Sequence, residues 1–141
     1  MATSNENLVG MGYRSPYTVS LPYDSIWAAM VDKVYNTSDY LPVTDVKTID
    51  RSPTHVYREM KAGNKQLNED IYLDKEKGEI KFFVIDADEV HVNKFHKDEQ
   101  VFEYYNENKK GERIPWNAPQ AIVLKAMDQT VTKAKKLSGH S

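Results

Sequence analysis

Six short segments of alternating or apolar residues follow one another through the middle of the chain, with no helical pattern between them. They cover residues 43–50, 54–61, 66–73, 79–85, 90–95 and 100–105. Turn-forming residues separate the segments at a spacing of about ten residues. Because tight turns connect antiparallel strands, this succession predicts an antiparallel meander.

The second and third segments form a hairpin about Gly63-Asn64, a turn sequence typical of hairpins. Folding the chain there gives three facing pairs, Val56 with Ile71, Arg58 with Glu69, and Met60 with Leu67. Side chains two residues apart share a face of a sheet, so the Arg58–Glu69 ion pair lies on an apolar face. Burying such a pair is costly. Three interpretations stay open: the pair holds two strands in register, anchors a ligand, or takes part in catalysis.

The same register argument extends across the next two turns. It places Ile71 opposite Phe82, then Val84 opposite His91, Phe82 opposite Asn93, and Ile80 opposite Phe95. One face is then apolar with Arg58, Glu69, His91 and Asn93 as its polar members. In the last segment either Phe102 and Tyr104 point inward, or Val101, Glu103 and Tyr105 do. On the opposite face we expect an apolar patch of Phe83, Ile85, Val90 and Val92. Either the N-terminal arm covers this patch or a homodimer buries it.

Helical patterns flank the meander. Residues 14–21 alternate as a strand and lead through Pro22 into a helix over residues 23–34. A short turn around Tyr40 and Leu41 follows, and Pro42 ends it. A long helix is predicted over residues 121–137, with Asn117 as its N-cap and Pro119 in its first turn.

Composition narrows the classes of function. Lys and Arg number 19 against 21 Asp and Glu, a net charge of -2, which argues against a nucleic-acid-binding protein. There is no Cys, no signal peptide and no apolar run of membrane-spanning length, so we expect a cytoplasmic protein without integral membrane association. The domain division we expect is a flexible arm over 1–12, one domain over 13–138 and a tail over 139–141.

A strand, a helix pair, six antiparallel strands and a long final helix together resemble the helix-grip fold of the START-like (SRPBCC) superfamily. Residues 21–27, a strand that passes through Pro22 into a helix with Trp27, resemble the opening of that fold. Within the superfamily the chain is most similar to the AtaL-like group. The similarity spans residues 14–137 and includes Asp32-Lys33, Leu41-Pro42, Arg58-Glu59, Glu69, Asn93 and Trp116.

The resemblance implies an α+β fold in which a seven-stranded antiparallel sheet wraps around the long C-terminal helix. It also implies an apolar cavity that holds a small hydrophobic or amphipathic molecule. The ligand-binding residues we expect are Arg58, Glu69, His91, Asn93, Met60, Ile71, Phe82, Val84, Trp27 and Met127. No His spacing suits a metal, and we expect no metal and no cofactor.

Two alternatives to a binding protein remain open. One is a polyketide-cyclase- or isomerase-like enzyme, with Glu69 or His91 as base and Arg58 stabilising a developing enolate. The other is a protein-interaction domain of the chaperone-activator type, which predicts an exposed groove in place of a closed pocket.

Overall fold

Two helices pack on one face of an antiparallel sheet in the computed structural model, which describes residues 11–116 and 118–139. The helices are α1 (Tyr23–Tyr35) and α2 (Gln120–Leu137), and a 3₁₀ turn (Thr37–Asp39) follows α1. The strands are β1 (Tyr13–Arg14), β2 (Thr44–Ser52), β3 (His55–Ala62), β4 (Lys65–Asp74), β5 (Glu79–Val84), β6 (Val90–His96), β7 (Val101–Glu107) and β8 (Arg113–Ile114). The strand order is β1-β7-β6-β5-β4-β3-β2, and β8 pairs with β7. This α+β architecture matches the helix-grip expectation.

The six strands predicted from alternation are confirmed as β2 to β7, but the predicted first strand is wrong in length. Only Tyr13–Arg14 pairs with β7. Beyond it the chain still runs beside β7, where the Ser15 and Val19 amides donate to the carbonyls of Phe102 (2.9 Å) and Gln100 (2.8 Å). Pro16 has no N–H to continue the ladder, which ends the strand early. The short β8 was not predicted, because two residues are too few to show an alternating pattern.

The register of the predicted hairpins is confirmed for β3–β4 and β4–β5, including Arg58 opposite Glu69. The prediction for β5–β6 is wrong by two residues, since Phe82 pairs with His91 and Ile80 with Asn93. The reason is the turn, in which Asp86 has a φ of 71° and the Val84 amide donates to the Glu89 carbonyl at 3.0 Å. A shift of two keeps every side chain on its predicted face.

Pairing of β6 with β7 decides the choice left open for the last strand. Asn93 faces Tyr104 and Phe95 faces Phe102, so Phe102 and Tyr104 point toward the helices. Both are buried in the main core. The sheet face beneath the helices is therefore continuous from β3 to β7.

Each helix buries an apolar stripe on this face. In α1 the stripe includes Ile26, Met30 and Val34, and in α2 it includes Met127 and Ala134. The turn after α1 comes earlier than predicted, at Thr37–Asp39 instead of Tyr40 and Leu41. Among the residues the structure describes, no helix is long and apolar enough to cross a membrane.

The start of α2 differs from the prediction. Pro119 stands at the N-cap in an extended conformation (φ −60°, ψ 127°) and is not in the first helical turn. Its carbonyl accepts hydrogen bonds from the amides of Ile122 (3.1 Å) and Val123 (3.2 Å), which an N-cap carbonyl can do without helical ψ. The predicted N-cap, Asn117, lies outside the described residues, as do residues 1–10 of the predicted arm and residues 140–141 of the predicted tail.

The opposite face of the sheet carries a second, smaller core. Val90 (1% exposed) and Val92 (0%) are buried there with Tyr105, and Phe83 packs against them half-buried. Burial within the chain removes these two valines from any exposed patch. Of the four residues that we expected in a dimer contact, only Phe83 and Ile85 are partly exposed.

Candidate binding cavity

A cavity of about 360 Å³ lies between the sheet and the first two turns of α2. Arg58, Glu69, Phe82 and Tyr104 contribute from the sheet, and Ala126 from the helix. Further lining residues are Lys33, Thr37, Leu41, Pro42, Val43, Met60, Ala62, Leu67, His91, Asn93, Tyr105, Trp116, Ala118, Ile122 and Val123. Pro42 and Ile122 are exposed, and they mark where the cavity reaches the surface.

Six of the ten predicted ligand-binding residues line this cavity. They are Arg58, Glu69, His91, Asn93, Met60 and Phe82. The other four do not. Trp27, Ile71 and Met127 are buried in the core, and Val84 lines a groove on the outer surface.

The Arg58–Glu69 pair is the polar centre of the sheet side of the cavity. Both residues are only 3% exposed. Nε and NH2 of Arg58 donate to Glu69 Oε1 at 3.0 and 2.6 Å. Both bonds end on Oε1, so among the described residues Oε2 is left for another partner.

Arg58 also ties the sheet to the end of α1. Its NH1 donates to the Val34 carbonyl (3.2 Å) and to Thr37 Oγ1 (2.7 Å), and its guanidinium lies 5.1 Å from the Phe82 ring centre. Four of the roughly five N–H donors of an arginine are thus used by the protein. This arrangement fits an architectural role for Arg58 better than a two-pronged grip on a ligand.

Lys33 is a site residue that the sequence analysis did not single out for binding. It is 4% exposed, lines the cavity, and its Nζ donates to Asn93 Oδ1. The same Nζ lies 4.2 Å from the Tyr104 ring centre. No carboxylate of a described residue lies within 4 Å of Lys33 Nζ, in contrast to the Arg58–Glu69 pair.

Burial has a direct electrostatic consequence for this lysine. Removal from water lowers the pKa of Lys33 to about 7, the neighbouring Arg58 guanidinium lowers it too, and Glu69 offsets part of the change. Lys33 therefore changes charge near neutral pH. An uncompensated buried ammonium favours either loss of its proton or an incoming anion.

His91 and Trp116 lie at another part of the cavity wall, with ring centres 6.0 Å apart. His91 Nδ1 lies 2.5 Å from Asn106 Oδ1, and its Nε2 lies 3.0 Å from Glu89 Oε2. Hydrogen bonding to His91 lowers the pKa of Glu89. Both ring nitrogens therefore have protein partners.

Tyr104 contributes its ring to the cavity, while its hydroxyl is buried without a hydrogen-bond partner among the described residues. Burial raises the pKa of Tyr104 far above its ordinary value, and nearby Thr130 offsets only a part. Thr130 donates its own hydroxyl to the Ala126 carbonyl at 2.8 Å. Tyr104 thus stays neutral and serves as an aromatic wall beside Lys33.

A sequence signal for Lys33 exists. It follows Met30 by three residues and Ile26 by seven, so it occupies the apolar stripe of α1. A charged residue at a core position of a helix is expensive to bury and indicates a site. Trp116 is among the residues of the family resemblance. For Ala118 and Ile122 no comparable signal is present, because their role depends on where the start of α2 crosses the sheet.

A second concavity, of about 560 Å³, lies on the outer face of the sheet. It is an open groove whose walls include Tyr72, Phe83 and Ile85 together with charged side chains such as Lys81 and Asp86. No buried ion pair or buried lysine of the described residues lies in it. Among all the residues that the structure describes, no group of three or more His, Cys, Asp or Glu could hold a metal ion.

Comparisons with known proteins bear on the fold alone. No family model and no curated protein matches the chain. The chain is similar in structure to the protein TTHA0849 from Thermus thermophilus, with a TM-score of 0.60 and 13% sequence identity. The similarity covers 90% of this chain and 99% of the Thermus protein.

Proposed function

We propose that this chain is a START-like protein that binds one small hydrophobic or amphipathic molecule in the cavity between the sheet and α2. The observation behind this proposal is the cavity of about 360 Å³, whose walls are mostly apolar and whose buried polar members include Lys33, Arg58 and Glu69. Ligand sites generally measure roughly 300–1,000 Å³ and have this composition. The order of strands and helices supports membership of the superfamily.

Other parts of the proposal follow from composition and surface. The near-neutral charge favours a small-molecule partner over nucleic acid, and the chain is proposed to be cytoplasmic. A homodimer through the outer sheet face stays a prediction, with Phe83 and Ile85 as its remaining partly exposed members.

The enzyme alternative has no specific observation in its favour. Glu69, His91 and Arg58 all line the cavity, but Arg58 and Glu69 bond to each other and His91 bonds to Asn106 and Glu89. Glu69 Oε2 has no protein partner among the described residues, but Arg58 has only one N–H donor left, so the proposed pairing of a base with an enolate-stabilising arginine is not assembled. The cavity also argues for ligand binding over an interaction domain of the chaperone-activator type.

Filling the cavity tests the proposal. Ala126 is 1% exposed and lines the cavity from α2, so Ala126→Leu places extra carbon atoms in the ligand volume. The neutral fluorophore N-phenyl-1-naphthylamine is the probe, titrated by its emission increase. We expect wild-type protein to bind it, and Ala126→Leu to weaken binding by about tenfold or more, because lost contacts of this size cost about 1–3 kcal/mol.

The matched control is Ala121→Leu, the same change on the exposed side of α2. It should bind the probe like wild type, and circular dichroism should show that all three proteins are folded. Absence of probe binding by wild type, or equal binding by Ala126→Leu, would contradict the proposed function.

A further inference from the structure

Lys33 is the one buried charge of the cavity without an ionic partner among the described residues. Arg58 has Glu69 at 2.6 Å, whereas Lys33 Nζ has only the neutral Asn93 amide and the Tyr104 ring. Both cations are less than 5% exposed. The buried cluster therefore holds two basic groups against one carboxylate.

The geometry leaves Lys33 able to hold a ligand. An ammonium has three N–H donors, and one of them is used on Asn93. Since Lys33 lines the cavity, the remaining donors are next to the space a ligand would fill. Arg58 is less suited, because protein acceptors take four of its donors.

We propose that the cavity is specific for a hydrophobic molecule with one anionic head group, and that Lys33 binds this group. The inference rests on the proposed function and names the chemical class of its ligand. The anion supplies the charge that Lys33 lacks, and the apolar part of the ligand extends along Phe82 toward Leu67 and α2. A charge-assisted hydrogen bond is about twice as strong as a neutral one.

Charge on Lys33 makes such binding depend on pH. Its proton is lost as the pH rises through about 7, so affinity for an anion should fall from pH 6 to pH 9. The other titratable groups that face the cavity are Arg58 and Glu69, which pair with each other, neutral Tyr104, and His91. Tyr105 also borders the cavity, but its side chain packs in the second core on the opposite face of the sheet. Lining residues on α2 include no titratable group.

Two fluorophores with the same aromatic rings distinguish the contribution of charge to affinity from that of apolar contact. They are 8-anilinonaphthalene-1-sulfonate, which is anionic at every pH used, and neutral N-phenyl-1-naphthylamine. We expect Lys33→Met to weaken the sulfonate by about tenfold or more, the usual size of a charge-assisted bond, and to change the neutral probe by less than about threefold. We also expect wild type to lose sulfonate affinity between pH 6 and pH 9, and Lys33→Met to show a flat profile.

Lys125→Met is the control, since it removes a lysine from the exposed side of α2 and should leave both affinities unchanged. Lys33→Gln serves if Lys33→Met does not fold, and the pH series on wild type needs no variant. Unchanged sulfonate binding in the Lys33 variants, or a pH dependence that persists in them, would overturn the inference. Failure of the neutral probe to bind wild type would instead contradict the proposed function.

Discussion

At the scale of single residues, the buried Arg58–Glu69 pair and the buried Lys33 differ in their contacts. Arg58 joins three elements, because it bonds Glu69 on β4 and the Val34 carbonyl and Thr37 at the end of α1. The intact pair adds little net stability, because taking two charges out of water costs several kcal/mol. Removing only one partner is strongly destabilising, because it leaves the other charge buried and unpaired. The structure thus supports the architectural interpretation of the pair, whereas Lys33 uses one N–H donor on Asn93 and lines the cavity.

A double-mutant cycle on the pair follows from this view. Arg58→Met and Glu69→Leu should each lower the free energy of unfolding by about 3–5 kcal/mol, because each leaves a buried charge without its partner. The double variant should lose less than the two losses combined. Urea unfolding provides the measurement.

The exposed Arg14–Glu99 pair, at 3.0 Å, is the control. Its side chains are 43% and 58% exposed, so Arg14→Met should cost less than about 1 kcal/mol. Strict additivity of the two core substitutions would show that Arg58 and Glu69 do not act as a pair.

Sequence predicted the Arg58–Glu69 contact because hairpin register depends on local turn chemistry and alternation alone. The binding role of Lys33 was not predicted, although the residue lies in the apolar stripe of α1. Its partner Asn93 lies 60 residues further along the chain. A contact of that range depends on how α1 crosses the sheet, which no local pattern specifies.

At the scale of elements, turn residues control the register of the sheet. Gly63 and Gly78 both have positive φ, 64° and 69°, in the turns after β3 and β4. They differ in surroundings: a Cβ on Gly63 would meet nothing within 4 Å, but one on Gly78 would lie 2.6 Å from the Phe95 carbonyl oxygen. The turn after β5, where register prediction was wrong, has Asp86 in the left-handed region instead of a glycine.

This contrast predicts unequal costs for the same substitution. Gly63→Ala should lower the free energy of unfolding by about 1–2 kcal/mol, the cost of a left-handed L-residue. Gly78→Ala should cost at least about 1 kcal/mol more, because overpacking adds to that strain. Thermal or urea unfolding of both variants checks the difference. Equal losses of unfolding free energy would show that the backbone at Phe95 moves aside without strain.

At the scale of the whole molecule, the sheet was more predictable than the cavity. Alternation gave six strands and their faces, and an error of two residues between β5 and β6 left those faces intact. Cavity volume depends instead on the distance between α2 and the sheet and on small residues such as Ala118 and Ala126. Those quantities arise only when elements far apart in the chain are packed together.

Occupation of the inner cavity by a ligand is tested most directly by a crystal structure of the protein with bound N-phenyl-1-naphthylamine. We expect electron density for the probe between α2 and the sheet, in contact with Phe82, Leu67 and Ala126. Density in the outer groove beside Tyr72 and Phe83, with an empty inner cavity, would contradict it.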